Sequence, residues 1–368
     1  MADLILDFNL KDSALGHLTT AVQLGFILGT LLFAILSIAD RFSPSKVFFV
    51  CALFGALFNL GLVWEGNSLF SILPLRFLTG FFLAGIYPVG MKIAADYYEK
   101  GLGKSLGFLV GALVLGTAFP HLAKEVSHNF AWQLVLIVTS LLAVIGGLLM
   151  FLGVPDGPFR KTGTRIDFSA FFSVFRNTNF RSAAMGYFGH MWELYAFWAF
   201  VPVILKTYGT LHPAVELDIP LLSFSIIGVG ALACVIAGYL AQNFGTKRIA
   251  SLALFLSCAC CFLSPLIFAI EEKSLLITFL LFWGMVVIAD SPLFSTLVAN
   301  NAPSEIKATA LTIVNSIGFF LTIISIQLIS YLLEVLNPVY VYTILGLGPI
   351  LGLIAIWDKK KTVVESTN

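Results

Sequence analysis

LSIADRFSPSK at residues 36–46 and GYLAQNFGTKR at residues 238–248 decide the reading of this chain. Each is a short basic turn at the end of a long apolar run, and the two stand 202 positions apart. A repeat spaced so widely describes a molecule of two similar halves, and the segments flanking each turn should then match at the same offset.

The composition sets the solvent. Hydrophobic residues make up 59% of the 368 and charged residues only 11%, far below the roughly 25% charged residues of a soluble domain. Eleven apolar runs are long enough to cross a hydrocarbon core, which takes about 20 helical residues. They are 16–39, 46–64, 69–92, 105–126, 131–153, 181–205, 219–241, 248–270, 274–298, 308–333 and 338–357. Lipid offers the backbone no hydrogen bonds, so each run is expected to be a helix. Shifted back by 202, the spans 219–241, 274–298, 308–333 and 338–357 fall on first-half spans. Span 181–205 has no counterpart, so the first half is expected to lack its opening helix, through an internal start or a natural truncation. Residues 1–15 are polar and acidic and do not form a signal peptide.

This gives an all-α polytopic membrane protein in two pseudo-symmetric halves. A five-span bundle covers 1–153, a cytoplasmic linker 154–180, a six-helix bundle 181–357 and a cytoplasmic tail 358–368. In the linker Phe168, Phe171, Phe172 and Phe175 recur at helical spacing. They fit a short interfacial helix or packing against the bundle. Of the 21 Lys and Arg, 16 fall on one set of connections and four on the other, with Arg76 inside a span. Positive charge is retained on short cytoplasmic loops, so the C-terminus is expected in the cytoplasm and the chain in the plasma (inner) membrane. Trp64, Trp132 and Trp357 at span ends suit interfacial anchoring.

The two turns resemble the G-x-L-A-D-R-x-G-R-K pattern of the major facilitator superfamily. The first keeps Asp40, Arg41 and a displaced Lys46; the second keeps Gly238, Leu240, Ala241, Gly245 and Lys247, with Gln242 in place of Asp. LPLRFLTGFFLAGIYPVG (73–90) resembles the family's fourth-helix motif, with Arg76 and Gly80 in place. The resemblance implies two six-helix halves around a central cavity, a monomer, and a secondary active permease rather than an enzyme. It also implies that Asp40, Arg41, Lys46, Gly238, Gly245 and Lys247 form a cytoplasmic gating latch; the alternative is a solvated loop retained for orientation. A transport-inactive, partner-binding or sensory relative is the other function open at this point.

Chemistry is sought among charges deep in the membrane, because an ionised group at mid-span costs roughly 2.5–3.5 kcal/mol. Arg76, Glu193 and Asp290 qualify, and the resemblance puts all three on cavity-lining helices. Glu193 shares a helical stripe with Gly186, His190 and Phe197, so carboxylate and imidazole can meet. Burial disfavours the charged carboxylate, which suits proton exchange, although His190 also fits a packing role. Asp290 lies two residues before Pro292, where the helix should break; it can serve solute or proton, or cap the second half-helix. Trp283 and Phe294 share its face as apolar wall. Arg76 shares a face with Gly80 and Tyr87 and can bind an anion or pair with Glu193 or Asp290. Paired, it suits a neutral or cationic solute; free, it suits an organic anion moving with a proton.

Gly103, Gly107 and Gly111 are spaced four apart, a pattern for close helix packing. The five cysteines lie in spans and read as small packing residues. There is no zinc-type spacing, haem pair or phosphate loop, and a net charge of +1 gives no nucleic-acid footprint. The expected partners are a small solute with H+ as the coupling ion, and the lipid bilayer, with no cofactor or metal.

Overall fold

The computed structural model describes residues 7–8, 14–36, 38–98, 101–126, 132–160, 174–303 and 307–357, without the side chains of 14–16, 34, 40, 124–126 and 307–309. The expected linker helix, apart from Phe175, the tail 358–368 and the Asp40 side chain lie outside the described residues.

Each apolar run coincides with helix. In chain order these are α1 Ala14–Ile35, α2 Pro44–Leu60, α3 Leu69–Leu83, α4 Tyr87–Tyr97, α5 Leu102–Val126, α6 Trp132–Gly153, α7 Thr178–Leu211, α8 Ile219–Phe244, α9 Thr246–Phe268, α10 Lys273–Ala289, α11 Ser291–Asn301, α12 Lys307–Val335 and α13 Leu347–Trp357. A short helical turn, Pro338–Val341, and a 3₁₀ turn, Tyr342–Gly346, lead into α13. Ten spans among the described residues have the length and apolarity to cross a membrane, and α1 adds a shorter apolar core, His17–Phe33.

The run 69–92 differs from its expected form. It breaks at Ala84–Ile86 and resumes as α4, with Pro88 in the first turn of the new helix. The second half breaks in the same way: α10 ends at Ala289 and α11 begins at Ser291 with Pro292 in its first turn. Pro88 and Pro292 are 204 positions apart. Proline has no N–H to donate to the preceding turn, and it is tolerated where a first-turn N–H would be unpaired anyway.

Backbone contacts repeat at that offset. A Cβ added at Gly80 would stand 2.0 Å from the Val22 carbonyl oxygen, and one at Gly284 would stand 2.0 Å from that of Ile226. Both members of the pair move by 204 positions. The contacts α1 to α3 and α8 to α10 are therefore the same packing solution used twice. The joints between the halves follow the same exchange: α5 packs along α8, and α12 along α1. At the first joint a Cβ on Gly107 would meet the Cys234 carbonyl oxygen at 2.8 Å and one on Gly111 that of Ala231 at 3.0 Å. At the second, the buried hydroxyls of Thr30 and Ser316 hydrogen-bond at 2.7 Å.

The basic turns lie at one end of the bundle. There the start of the linker is strapped to the first half: Ser43 Oγ donates to Asp156 at 2.7 Å, Arg160 pairs with Asp156 and donates to the Phe42 carbonyl at 2.9 Å, and Tyr97 OH donates to the Pro155 carbonyl at 2.6 Å. Phe175 packs edge-on against Phe180. Trp64 and Trp357 are exposed, whereas the Trp132 indole donates to Asp7 at 2.7 Å.

Candidate functional site

Helices α7 and α10 run antiparallel and present two matched positions to each other. On α7, His190 and Glu193 are one turn apart; on α10 and at its end, Trp283 and Asp290 are two turns apart. All four are at most 1% exposed. The pairing differs from the one expected along a single helix: His190 faces Asp290, with Nδ1 2.7 Å from Oδ1, and Glu193 faces Trp283. Residues three apart on one helix share a broad face, but here each reaches a different partner.

Glu193 sits in a cage of donors. Trp283 Nε1 donates to Oε1 at 2.7 Å, Ser257 Oγ to Oε2 at 2.8 Å and Cys261 Sγ to Oε1 at 3.3 Å. Ser257 and Cys261 come from α9, so one carboxylate ties α7, α9 and α10 together. An ionised carboxylate this deep is tolerated only when its lone pairs are filled, and these three donors supply that. The Phe197 ring packs on Trp283 with centroids 4.6 Å apart and fixes the indole's plane.

Asp290 is the contrast. It occupies the position between α10 and α11, its side chain makes no capping bond, and among the described residues its close side-chain partner is His190. The contact lies off the hydrogen-bond direction, and neither imidazole nitrogen nor either Asp290 oxygen has an aligned partner. The backbone N–H groups of Asp290 and Ser291 lie within reach of the carboxyl, so it is held at the helix break by its own backbone and by His190 and not by a cage of side-chain donors. Tyr187 stacks obliquely on His190 at 5.9 Å and lies within electrostatic reach of Asp290, Tyr87 and Tyr195. Tyr87, at the start of α4, packs with Tyr195 at the contact of the halves. Tyr87 is thus a first-half residue packed against the same cluster as the α7 face, together with Met91.

Arg76 stands apart. Its Nε is buried without a hydrogen bond, and no ion pair joins it to Glu193 or Asp290 among the described residues. Phe294 is buried wall, its ring seated where a Cβ on Gly186 would be only 2.3 Å from it.

At the basic end, Arg41 and Lys46 are exposed, without an ion-pair partner among the described residues; the turn is held instead by the Ser43, Asp156 and Arg160 strap. Gly238 allows α8 to approach Gly103, whose carbonyl oxygen would be 3.0 Å from an added Cβ, and Gly245 adopts φ +90°, a conformation that favours glycine. Lys247 is exposed and borders a cavity of about 220 Å³ with Asn179, Ser182 and Asn301.

Sequence reasoning missed Ser257 and Cys261 as partners of Glu193, and Tyr187 as a neighbour of His190. It also missed a buried ion pair: Lys92 on α4 bonds Asp96 one turn later at 2.7 Å. An i, i+4 acid and base pair on one helix was the available signal. All five cysteines are buried and free. Among the described residues no group of His, Cys, Asp and Glu is arranged to hold a metal.

A family model described as Major Facilitator Superfamily matches residues 1–326. Among solved structures, the chain is similar to the fucose:proton symporter FucP of E. coli at TM-score 0.70 and 15% identity, covering 98% of this chain and 94% of that one. It is also similar to the proton:xylose symporter XylE bound to 6-bromo-6-deoxy-D-glucose at TM-score 0.77 and 15% identity, covering 97% and 90%. At that identity the likeness speaks for the fold alone. The repeated broken helices, the exchanged joints and the family match agree, and this chain, a membrane transporter, belongs to the Major Facilitator Superfamily.

Proposed function

We propose that the chain moves a small organic anion together with a proton, by rocking of its two halves around a site at the α7 and α10 contact. The observation that carries this reading is the buried zipper of His190 with Asp290 and Glu193 with Trp283. A proton on Glu193 Oε1 takes one of the lone pairs that hold Trp283 and Cys261, so it is taken up as the Trp283 indole leaves and then keeps α10 released from α7 and α9. Protonation of Asp290 would change its contact with His190 and act on the same helix at its break. Broken helices at mid-membrane are where transporters expose backbone groups to solute and ion. A proton thereby biases a two-state element, which coupling requires.

Arg76 decides between solute classes. The half-buried Arg76 carries an Nε without a hydrogen bond, a charge that is costly inside a span, and a carboxylate or similar anion on the solute would give it a bidentate partner. The two symporters of like fold are named for fucose and xylose; Arg76 favours an acidic relative of such solutes over a neutral one. We further propose that the basic end faces the cytoplasm, on the charge distribution.

The test is uptake into proteoliposomes from a panel of radiolabelled monocarboxylates, sugar acids and neutral sugars, with and without an imposed pH gradient. The expected result is accumulation of an acid that collapses with a protonophore. Glu193→Gln and Asp290→Asn should lose accumulation and keep solute counterflow. Accumulation indifferent to the pH gradient, or preference for a neutral sugar that survives Arg76→Gln, would overturn the reading. Failure of the whole panel would favour a sensory or partner-binding role.

A further inference from the structure

A second polar feature lies in the same bundle, displaced from Glu193 toward the end opposite the basic turns. A void of about 10 Å³ is lined by Ile204, Ser264, Phe268, Leu280, Trp283 and Tyr342, among others. That is near the smallest space that holds one water, which also needs two or more polar partners. Both partners are present. Tyr342 is fully buried and its hydroxyl has no hydrogen bond. Ser264 Oγ donates to the Cys261 carbonyl at 2.8 Å, which leaves its lone pairs free to accept. An unpartnered buried hydroxyl costs about 1–3 kcal/mol, and a bound water would remove that cost.

The void is placed between solvent and Glu193. Its far wall is Phe268, whose ring stacks on Tyr342 with centroids 6.2 Å apart and whose carbonyl accepts from His212 Nε2 at 2.9 Å. His212 Nδ1 lies 3.9 Å from Glu271 at the exposed end of the bundle. Its near wall is Trp283, the residue whose indole N–H fills Glu193 Oε1. One side chain therefore touches the void with its ring and the carboxylate with its nitrogen.

We propose that Tyr342, Ser264 and one bound water form a proton relay to Glu193, gated by Trp283 and entered from the His212 and Glu271 end. The water accepts from Tyr342 O–H and donates to Ser264 Oγ. A proton from solvent makes it a hydronium; when the Trp283 indole leaves Oε1, one hydronium O–H bond breaks and one Glu193 O–H bond forms. The carboxylate becomes neutral and the water is restored. Among the described residues the other titratable groups within reach of Glu193 are the thiols of Cys258, Cys260 and Cys261, and Asp290 with its partner His190. This inference rests on the reading that Glu193 takes up a proton.

The test needs no solute. The full chain in lipid is subjected to a pH jump while infrared difference spectra follow the C=O stretch of a protonated carboxyl, assigned to Glu193 by its loss in Glu193→Gln. Tyr342→Phe and Ser264→Ala each remove one oxygen and keep the shape. Each is expected to leave the final band amplitude unchanged and slow its appearance by about tenfold, the effect of roughly one hydrogen bond on a barrier. A jump applied only from the basic end should be slower in the unsubstituted protein than one from the opposite end. If the band is present and its rate is unchanged in both variants, the relay is wrong while Glu193 remains a proton site. If no band is lost in Glu193→Gln, both the relay and the proton role of Glu193 fall.

Discussion

Gly80→Ala and Gly284→Ala should damage the protein equally, because they occupy the same contact in the two halves. The added Cβ would stand 2.0 Å from the carbonyl oxygen of Val22 or Ile226, against about 3.4 Å for an ordinary contact, and the obstacle is backbone that cannot rotate away. Helix α3 must then move off α1, or α10 off α8, by more than an ångström. Overpacking of this kind costs about 1–3 kcal/mol. The same substitution in open helix is worth about 0.5–1 kcal/mol in favour of alanine. Gly116 supplies the control, since a Cβ there meets nothing within 4 Å. The difference between either buried variant and Gly116→Ala is therefore about 2–4 kcal/mol. At about 2–4 °C per kcal/mol for bundles of this size, thermal unfolding in detergent should separate them by at least about 4 °C. If Gly80→Ala melts with Gly116→Ala, or if only one of Gly80 and Gly284 is sensitive, the repeated packing is not what holds each half together.

Other consequences can be measured on the same protein. Thr30→Val removes the buried bond to Ser316, worth about 1 kcal/mol, and should shift the population open at the basic end about fivefold; alkylation of a cysteine placed at Thr312 reports it, and an unchanged rate would remove this bond from the gate. Lys92→Met removes the Lys92 bond to the buried Asp96 and should cost up to about 3–5 kcal/mol, whereas Lys92→Met with Asp96→Leu should recover most of it. A double variant no more stable than the single one would show that the pair is not the relevant partner.

The spans were legible because their length and apolarity are local properties, and the break at Pro292 because proline acts on its own helix. The break at Pro88 was hidden inside a run whose flanking residues are all apolar. The families of contacts at the site were less legible. His190 and Glu193 share a stripe of α7, yet which neighbour each meets depends on the rotation of α9 and α10, which no spacing along α7 encodes. Ser257 and Cys261 carry no charge and gave no signal. Lys92, counted as a loop charge, is buried with Asp96 because α4 continues past the expected end of its run. Arg76, Glu193 and Asp290 stood out in the sequence because an ionisable residue inside an apolar run is conspicuous by type alone; Glu193 and Asp290 are buried, whereas Arg76 is half-buried and stands apart from them.

Alternation between two arrangements of the halves is the account's central claim, and pulsed spin-label distances test it most directly. One label pair spans the exposed turn residues Arg41 and Lys247, the other spans Glu65 and Leu336 at the opposite end. The account predicts two distance populations for each pair, with acidification or Asp290→Asn lengthening one distance while shortening the other. A single distance at both ends, unmoved by pH and by Asp290→Asn, would contradict it.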